Sequence, residues 1–253
     1  MIFSNTIYNI HEFILSTRSI LLPHQCFSCQ SINYTYGICS ICWLQLRFNH
    51  KPACIKCFTP FSFNYGQNIM CGKCIQKSNS KKYYLNYLRS ALFYNTLAKK
   101  LILKFKNGQA FYLSKLFAKW MLSVSHDILK NTNLFIPVPL HANRIWWRGY
   151  NQSVLLSQNL SQLTHIPTYT NILLRSKQTC SQEGLSAKNR QKNVRGVFTI
   201  NRSHMQLIRK KQIILIDDVC TTSATLNACA KTLKKFGAIT VHALTVASTN
   251  KML

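Results

Sequence analysis

Acidic residues are scarce in this 253-residue sequence: 5 Asp and Glu stand against 32 Lys and Arg, giving a formal net charge of +27. Long apolar runs are also missing, since none approaches the roughly 18–20 residues that a membrane span needs. The first 25 residues lack a charged n-region and a small-residue cleavage site, so we expect no secretory signal peptide. Hydrophobic residues still make up 47% of the sequence, which excludes a disordered polar chain. We therefore expect a globular, cytoplasmic protein without a membrane span, built from one large domain or two modest ones.

The excess of positive charge has two explanations. An AT-rich genome would favour lysine, but it would not remove glutamate, whose codons tolerate AT bias equally well. The other explanation is a polyanionic partner or ligand. Seven of the ten arginines lie between Arg144 and Lys211, where five lysines and a single acid, Glu183, bring the local charge to +11. Because arginine pairs bidentately with phosphate, this basic segment favours phosphate binding, with a solvated basic surface as the alternative.

Eight of the eleven cysteines form four C-x-x-C pairs in the first third of the sequence. One C-x-x-C turn directs two thiolates at a tetrahedral ion, and two turns complete a closed, structural zinc site. We assign one zinc to Cys26, Cys29, Cys39 and Cys42, and a second to Cys54, Cys57, Cys71 and Cys74. Interleaved pairing of the four turns is an alternative. A disulfide framework is another, although it needs an oxidising compartment to which nothing directs the chain.

The cysteine pairs and a polar run at residues 78–80 divide the sequence into a double zinc ribbon over residues 21–78 and a domain over residues 79–253. Residues 1–20 are typical of a short amphipathic helix or a loose arm. Strands are expected at Leu88–Tyr94, Leu134–Val138, Val197–Ile200, Ile213–Ile216 and Ile239–Val246. Helices are expected at Thr96–Lys106, Phe111–Ser125, Tyr150–Thr164 and from Leu226 to Phe236. This alternation predicts an α/β fold with a mainly parallel sheet and flanking helices.

Two of the five acids are adjacent, at Asp217 and Asp218, where an apolar strand is expected to end. Small and hydroxyl residues follow and open a helix: Thr221, Thr222, Ser223, Ala224 and Thr225. A helix N-terminus of this kind offers N–H groups and a positive dipole end to a phosphate. The two carboxylates could accept hydrogen bonds from a vicinal diol such as that of ribose. The structural alternative is an aspartate cap with threonines in a tight turn.

The segment ILIDDVCTTSATL resembles the phosphoribosyl-pyrophosphate (PRPP) signature of type I phosphoribosyltransferases. Three further segments resemble the ComF/GntX family: IPVPLHANRIWWRGYNQSVLLSQNL, LLRSKQTCSQEGLSAKNRQKNVRGVF and FYNTLAKKLILKFKNG. A double zinc ribbon before a type I phosphoribosyltransferase-like domain also fits that family, and the resemblance covers residues 21–248. One departure is Ser223, which stands where the signature usually has glycine. If that position needs a positive φ, serine is strained there by roughly 1 kcal/mol or more.

The resemblance implies roles for individual residues. Asp217 and Asp218 would meet the ribose hydroxyls of PRPP, which binds with Mg²⁺, and Thr221–Thr225 would surround the 5-phosphate. Contacts to pyrophosphate, to a second anion or to DNA are expected from Arg144, Arg148, Asn151 and Gln152. A polar segment that could form a mobile flap contributes Gln182, Arg190 and Asn193.

Three functions remain open at this point. The resemblance implies a competence protein that handles incoming single-stranded DNA during natural transformation, with a competence helicase or recombination proteins as partners. Trp146, Trp147 and Tyr150 among basic residues suit strand binding, although the tryptophans could instead form a packed cluster. The second function is an active phosphoribosyltransferase acting on a nucleobase or a related nucleophile. The third is a scaffold that binds protein partners through its ribbons and domain.

Overall fold

The computed structural model describes residues 24–33, 36–80, 82–108, 110–176 and 196–249. The chain divides after Leu46 into two compact units. In the first unit, β1 (His24–Gln25) and β2 (Ile32–Asn33) pair antiparallel and are followed by α1 (Ser40–Gln45). The second unit contains the remaining cysteines, with α2 (Gly72–Ser78), together with the whole α/β domain. The boundary expected at residue 78 stays a prediction.

A four-stranded parallel sheet forms the centre of the second unit. Its strands lie in the order β3 (Leu88–Phe93), β8 (Thr240–Ser248), β7 (Gln212–Cys220) and β4 (Leu134–Pro137). The run Ile213–Ile216 in β7 is fully buried. Helices cover both faces of a parallel sheet, which is why its strands are continuously apolar. This sheet, its helices and the cysteine clusters confirm the predicted fold class.

Helices connect and cover these strands. They are α3 (Thr96–Lys106), α4 (Leu113–Ser123), α5 (His126–Leu129), α6 (Ala142–Arg148), α7 (Gln152–Thr164) and α8 (Ala224–Lys235). Helix α3 begins where the Asn95 side chain accepts a hydrogen bond from the Ala98 N–H at 2.9 Å, as an N-cap should. Within the described ranges, no helix is both long and apolar enough to cross a membrane.

A small antiparallel hairpin lies outside the main sheet. It consists of β5 (Leu173–Arg175) and β6 (Phe198–Ile200), followed by a 3₁₀ helix at Arg202–Leu207. Between the two strands, residues 177–195 lie outside the described residues. The predictions for Gln182, Arg190 and Asn193 fall there.

The predicted elements correspond closely to the observed ones, with several corrections. Asp217 and Asp218 do not follow the strand, as expected, but lie within it, because β7 continues to Cys220 and pairs there with Ser248 of β8. In the α/β domain, helices α5 and α6, the 3₁₀ helix and strand β5 were not expected. Helices expected at Phe111–Ser125 and Tyr150–Thr164 begin two residues later, at Leu113 and Gln152.

Candidate functional site

Two clusters of four cysteines lie in the ribbon region. Their members are Cys26, Cys29, Cys39 and Cys42 in the first tetrad, and Cys54, Cys57, Cys71 and Cys74 in the second. Within each tetrad the sulfur atoms all lie within 4.8 Å of one another. The Cys29–Cys39 and Cys57–Cys71 sulfurs are 3.7 Å apart, close to the ~3.8 Å edge of a tetrahedron with zinc–sulfur bonds of ~2.3 Å. The sulfur atoms therefore group as the consecutive pairing expects and not as the interleaved pairing does.

Each tetrad has the same kinds of hydrogen-bonding neighbours. The backbone N–H of the third cysteine lies 3.3 Å from the sulfur of the first, from Cys39 to Cys26 and from Cys71 to Cys54. A hydroxyl oxygen lies beside the second sulfur of each tetrad, Ser31 beside Cys29 and Thr59 beside Cys57. Such donors stabilise thiolates, and no described cysteine forms a disulfide. Both tetrads therefore fit closed structural zinc sites, for which the four thiolates of each would be the ligands.

The acidic pair in β7 is held by side chains from two helices. Asp217 Oδ1 accepts hydrogen bonds from the Ser153 hydroxyl at 3.2 Å and from the Asp218 N–H at 2.9 Å. Asp218 Oδ2 lies 3.1 Å from Lys106 Nζ. Burial of the carboxyl group and the charge of Asp218 raise the pKa of Asp217 to about 7. Burial lowers the pKa of Lys106, but its interactions with Asp218 and then Asp217 outweigh burial and keep that pKa above its usual value.

The chain turns sharply after β7 and starts α8 at Ala224. Ser223 occupies the N-cap position of this helix with φ +60°, so the position does need the left-handed conformation that favours glycine. The Ser223 hydroxyl donates to the Thr222 carbonyl at 2.6 Å and accepts from Lys77 Nζ at 3.2 Å. Because the first N–H groups of a helix have no partner within it, this turn presents donors suited to an anion.

The motif R-G-Y-N-Q, residues 148–152, forms a tight junction between α6 and α7. Gly149 ends α6 with φ +75° and donates its N–H to the Ile145 carbonyl at 2.7 Å. A residue with a Cβ would be strained in that conformation. The Tyr150 ring then packs against Phe111, with the ring centroids 4.6 Å apart.

The last two residues of the motif bond to the backbone. Asn151 caps α7 by accepting from the Ser153 N–H at 3.0 Å, and it donates to the Val138 carbonyl at 3.1 Å. Gln152 donates to the Lys106 carbonyl at 3.1 Å. These bonds hold the start of α7 and the end of α3 in place. Those two helix ends carry Ser153 and Lys106, whose side chains contact Asp217 and Asp218. Ligand contacts by Asn151 and Gln152 stay a prediction.

Helix α6 exposes two indole rings. Trp146 and Trp147 are 83% and 84% exposed, and no residue of α6 is buried. The packed-cluster alternative is therefore wrong. Arg144 and Arg148 flank the pair in the sequence, and burial together with the charge of Arg144 lowers the pKa of Arg175. Helix α6 follows the carboxyl end of β4, and the acidic pair lies near the carboxyl end of β7. Because β4 and β7 are parallel neighbours, both features lie at the same end of the sheet.

Sequence reasoning missed three residues at this site. Ser153 directly follows R-G-Y-N-Q, and Lys106 lies in FYNTLAKKLILKFKNG, so both stand in segments that carried the resemblance. Lys77 lies in the ribbon and had no comparable signal. Long-range folding brings all three to the strand end and loop.

Both parts of the chain match domains of known proteins. A model of the double zinc ribbon domain matches residues 18–75, and a model of the phosphoribosyl transferase domain matches residues 154–252. Competence protein F of Haemophilus influenzae is 35% identical over 208 residues, covering 79% of this chain and 86% of that protein. DNA utilization protein YhgH of Escherichia coli O157:H7 is 29% identical over 231 residues, covering 88% and 96% of the two chains. With this similarity over most of its length, the chain belongs to the ComF/GntX family.

Proposed function

We propose that this protein handles single-stranded DNA in DNA uptake or utilisation, and that the turn after β7 binds a phosphoribosyl ligand such as PRPP with Mg²⁺. The observation that carries the proposal is the exposed Trp146–Trp147 pair, which lies at the same carboxyl end of the sheet as Asp217 and Asp218. The names of the relatives, which refer to competence and DNA utilization, also support a role in DNA handling.

The DNA-binding part rests on helix α6. Bases of any sequence can stack on an indole ring, and arginines can follow the phosphates. Arg144 and Arg148 stand two residues before and one residue after the tryptophan pair. Two neighbouring indoles left this exposed are uncommon without a binding role, because large exposed apolar rings are unfavourable in water. We therefore expect binding with little sequence preference.

The phosphoribosyl part rests on β7 and the turn that follows it. Asp217 and Asp218 offer carboxylate oxygens to a ribose diol, and the helix start at Ala224 offers N–H groups to a phosphate. Mg²⁺, when bound, would neutralise the pyrophosphate of PRPP, and its preference for carboxylate and phosphate oxygens fits these acids. Lys106 limits the repulsion between the two aspartates and the anionic ligand.

Phosphoribosyl transfer to an acceptor is a second candidate function. The observation that favours it is the pKa of Asp217 near 7, which suits a carboxylate that exchanges protons at neutral pH. Incubation with PRPP, Mg²⁺ and a panel of nucleobases tests it through release of pyrophosphate. No release from protein that binds PRPP would eliminate transfer to those acceptors and leave the binding role.

Single-stranded oligonucleotides titrated at several salt concentrations test the DNA-binding part. Logarithmic affinity should fall with logarithmic salt concentration at about −0.7 per neutralised phosphate. Arg148→Ala should make the slope shallower by roughly one contact. Trp147→Ala should lower affinity at every salt concentration by roughly 1–3 kcal/mol, without lowering the melting temperature, because the ring is exposed.

Phe63→Ala is the matched control, since Phe63 is also an exposed aromatic residue, 72% accessible, in the ribbon region. It should leave DNA affinity unchanged. A flat salt dependence of the intact protein, or equal losses from Trp147→Ala and Phe63→Ala, would contradict binding through α6.

A further inference from the structure

The second zinc ribbon reaches the turn after β7 through one side chain. Lys77 Nζ donates to Ser223 Oγ at 3.2 Å, across 146 positions of sequence. Lys77 lies in α2, which begins directly after Cys71 and contains Cys74, and both cysteines belong to the second tetrad. The second tetrad and α2 are therefore adjacent in sequence, and Lys77 connects α2 to the turn in space, all within one compact unit.

Ser223 is held in its left-handed conformation by several groups. Its own hydroxyl proton goes to the Thr222 carbonyl, so its oxygen can accept from Lys77. Burial raises the pKa of Tyr83, and the Ser223 side chain lowers it in part. These contacts offset the strain of roughly 1 kcal/mol that a non-glycine residue has at positive φ. The serine that replaces the usual glycine thus ties the turn to the ribbon.

Lys77 brings a positive charge to the place where a phosphate is expected. Its ammonium group lies 5.3 Å from the centroid of the Tyr83 ring, so the ring and Ser223 together fix its position. An ammonium group has three N–H donors and can hold Ser223 and a phosphate oxygen at once. A charge-assisted hydrogen bond of this kind is stronger than the neutral ones that the backbone provides.

We propose that Lys77 is a phosphate-binding residue supplied by the second zinc ribbon, and that ligand affinity therefore depends on zinc in the second tetrad. The inference rests on the phosphoribosyl site proposed above. Zinc binding organises small ribbons that have little core of their own. Without zinc, Cys71 and Cys74 no longer anchor α2, and the Lys77 ammonium loses its position at Ser223.

Calorimetric titration with ribose 5-phosphate tests the role of Lys77. Lys77→Ala should weaken binding by about 10- to 100-fold, as expected for a hydrogen bond to a charged group. Lys73→Ala is the matched control, since Lys73 is exposed one turn earlier on the same helix. It removes the same charge and should change affinity less than about twofold. Lys77→Arg keeps the charge and should retain most of the affinity.

Each outcome of this titration has one meaning. Equal affinity of the wild type and Lys77→Ala would overturn the inference and leave the phosphoribosyl site standing. No binding by the wild type would overturn both. A loss of single-stranded DNA affinity in Lys77→Ala with unchanged ribose 5-phosphate affinity would also overturn it. Zinc content and melting temperature of each variant show that a loss of binding is not a loss of folding.

A double-mutant cycle tests the dependence on zinc. Cys74→Ser should lower ribose 5-phosphate affinity, and adding Lys77→Ala to it should cost less than about a further twofold. In a Cys42→Ser background, which disrupts the first tetrad instead, Lys77→Ala should keep its full effect. A full effect of Lys77→Ala in the Cys74→Ser background would overturn the coupling to zinc.

Discussion

At the scale of single residues, Asp217 combines a position near the carboxyl end of β7 with an unusual proton affinity. Burial and the charge of Asp218 raise its pKa to about 7, well above the ordinary value of 3.8. A raised pKa in the folded state favours the protonated, folded protein at low pH. This contribution to stability is complete below about pH 4 and is lost as the pH rises through 7.

Asp217→Asn should therefore separate binding from folding. The amide cannot ionise, so the free energy of unfolding should change less between pH 4 and pH 7 than in the wild type. Ribose 5-phosphate affinity should fall by about tenfold or more, because a charged acceptor for the ribose diol is lost. Urea unfolding across pH and calorimetric titration measure the two effects.

Asp127→Asn is the control with the opposite sign. Burial raises the pKa of Asp127, but its hydrogen bonds and ion pair with Arg89 outweigh burial and hold that pKa below its usual value. Its stabilising effect is present above pH 4 and lost as the pH falls. The variant should lose stability at pH 7 and keep its ligand affinity. Equal ligand affinity of Asp217→Asn and the wild type would eliminate Asp217 as a ligand residue.

At the scale of elements, the sequence predicts those whose ends are chemically marked. Helix α3 has the bounds predicted from its apolar face, and the structure shows that the Asn95 side chain caps its start and that Gly108 follows its end. Strand β7 was predicted too short, because its apolar run stops at Ile216 while pairing with β8 carries it to Cys220. Helix α6 has no buried residue and therefore no apolar periodicity to detect.

The second cysteine tetrad makes a prediction about metal content and stability. Cys54 is fully buried in its tetrad, so Cys54→Ser should leave an incomplete zinc shell. Metal analysis should give close to two zinc equivalents for the wild type and about one for the variant, with a lower melting temperature. Cys229→Ala is the control, because Cys229 is equally buried but lies in α8, outside both tetrads.

That control should keep both zinc ions and lose only core packing. One equivalent of zinc in the wild type, or two in Cys54→Ser, would contradict the assignment of the tetrads.

At the scale of the whole molecule, charge and long-range contacts set what the site can bind. Two zinc tetrathiolates at −2 each would bring the formal charge from +27 to about +23, so the protein would stay strongly basic. The acidic pair and the turn after β7 were predictable from one continuous segment. Lys106, Ser153 and Lys77 were not, because three distant parts of the chain supply them and folding alone brings them together.

Because α6 and the acidic pair lie at the same end of the sheet, we expect each of the two proposed ligands to change the binding affinity of the other. PRPP with Mg²⁺ and single-stranded DNA both carry phosphate charge, and their proposed sites follow adjacent parallel strands. Repulsion between them should weaken binding, and thermodynamic linkage requires the effect to be equal in both directions.

The most direct measurement is therefore titration of the purified protein with labelled single-stranded DNA, with and without saturating PRPP and Mg²⁺. We expect the protein to bind both ligands, and we expect PRPP to weaken DNA binding severalfold in the wild type but not in Asp217→Asn. Absence of PRPP binding, or DNA affinity that PRPP leaves unchanged, would contradict a phosphoribosyl site beside a DNA-binding surface.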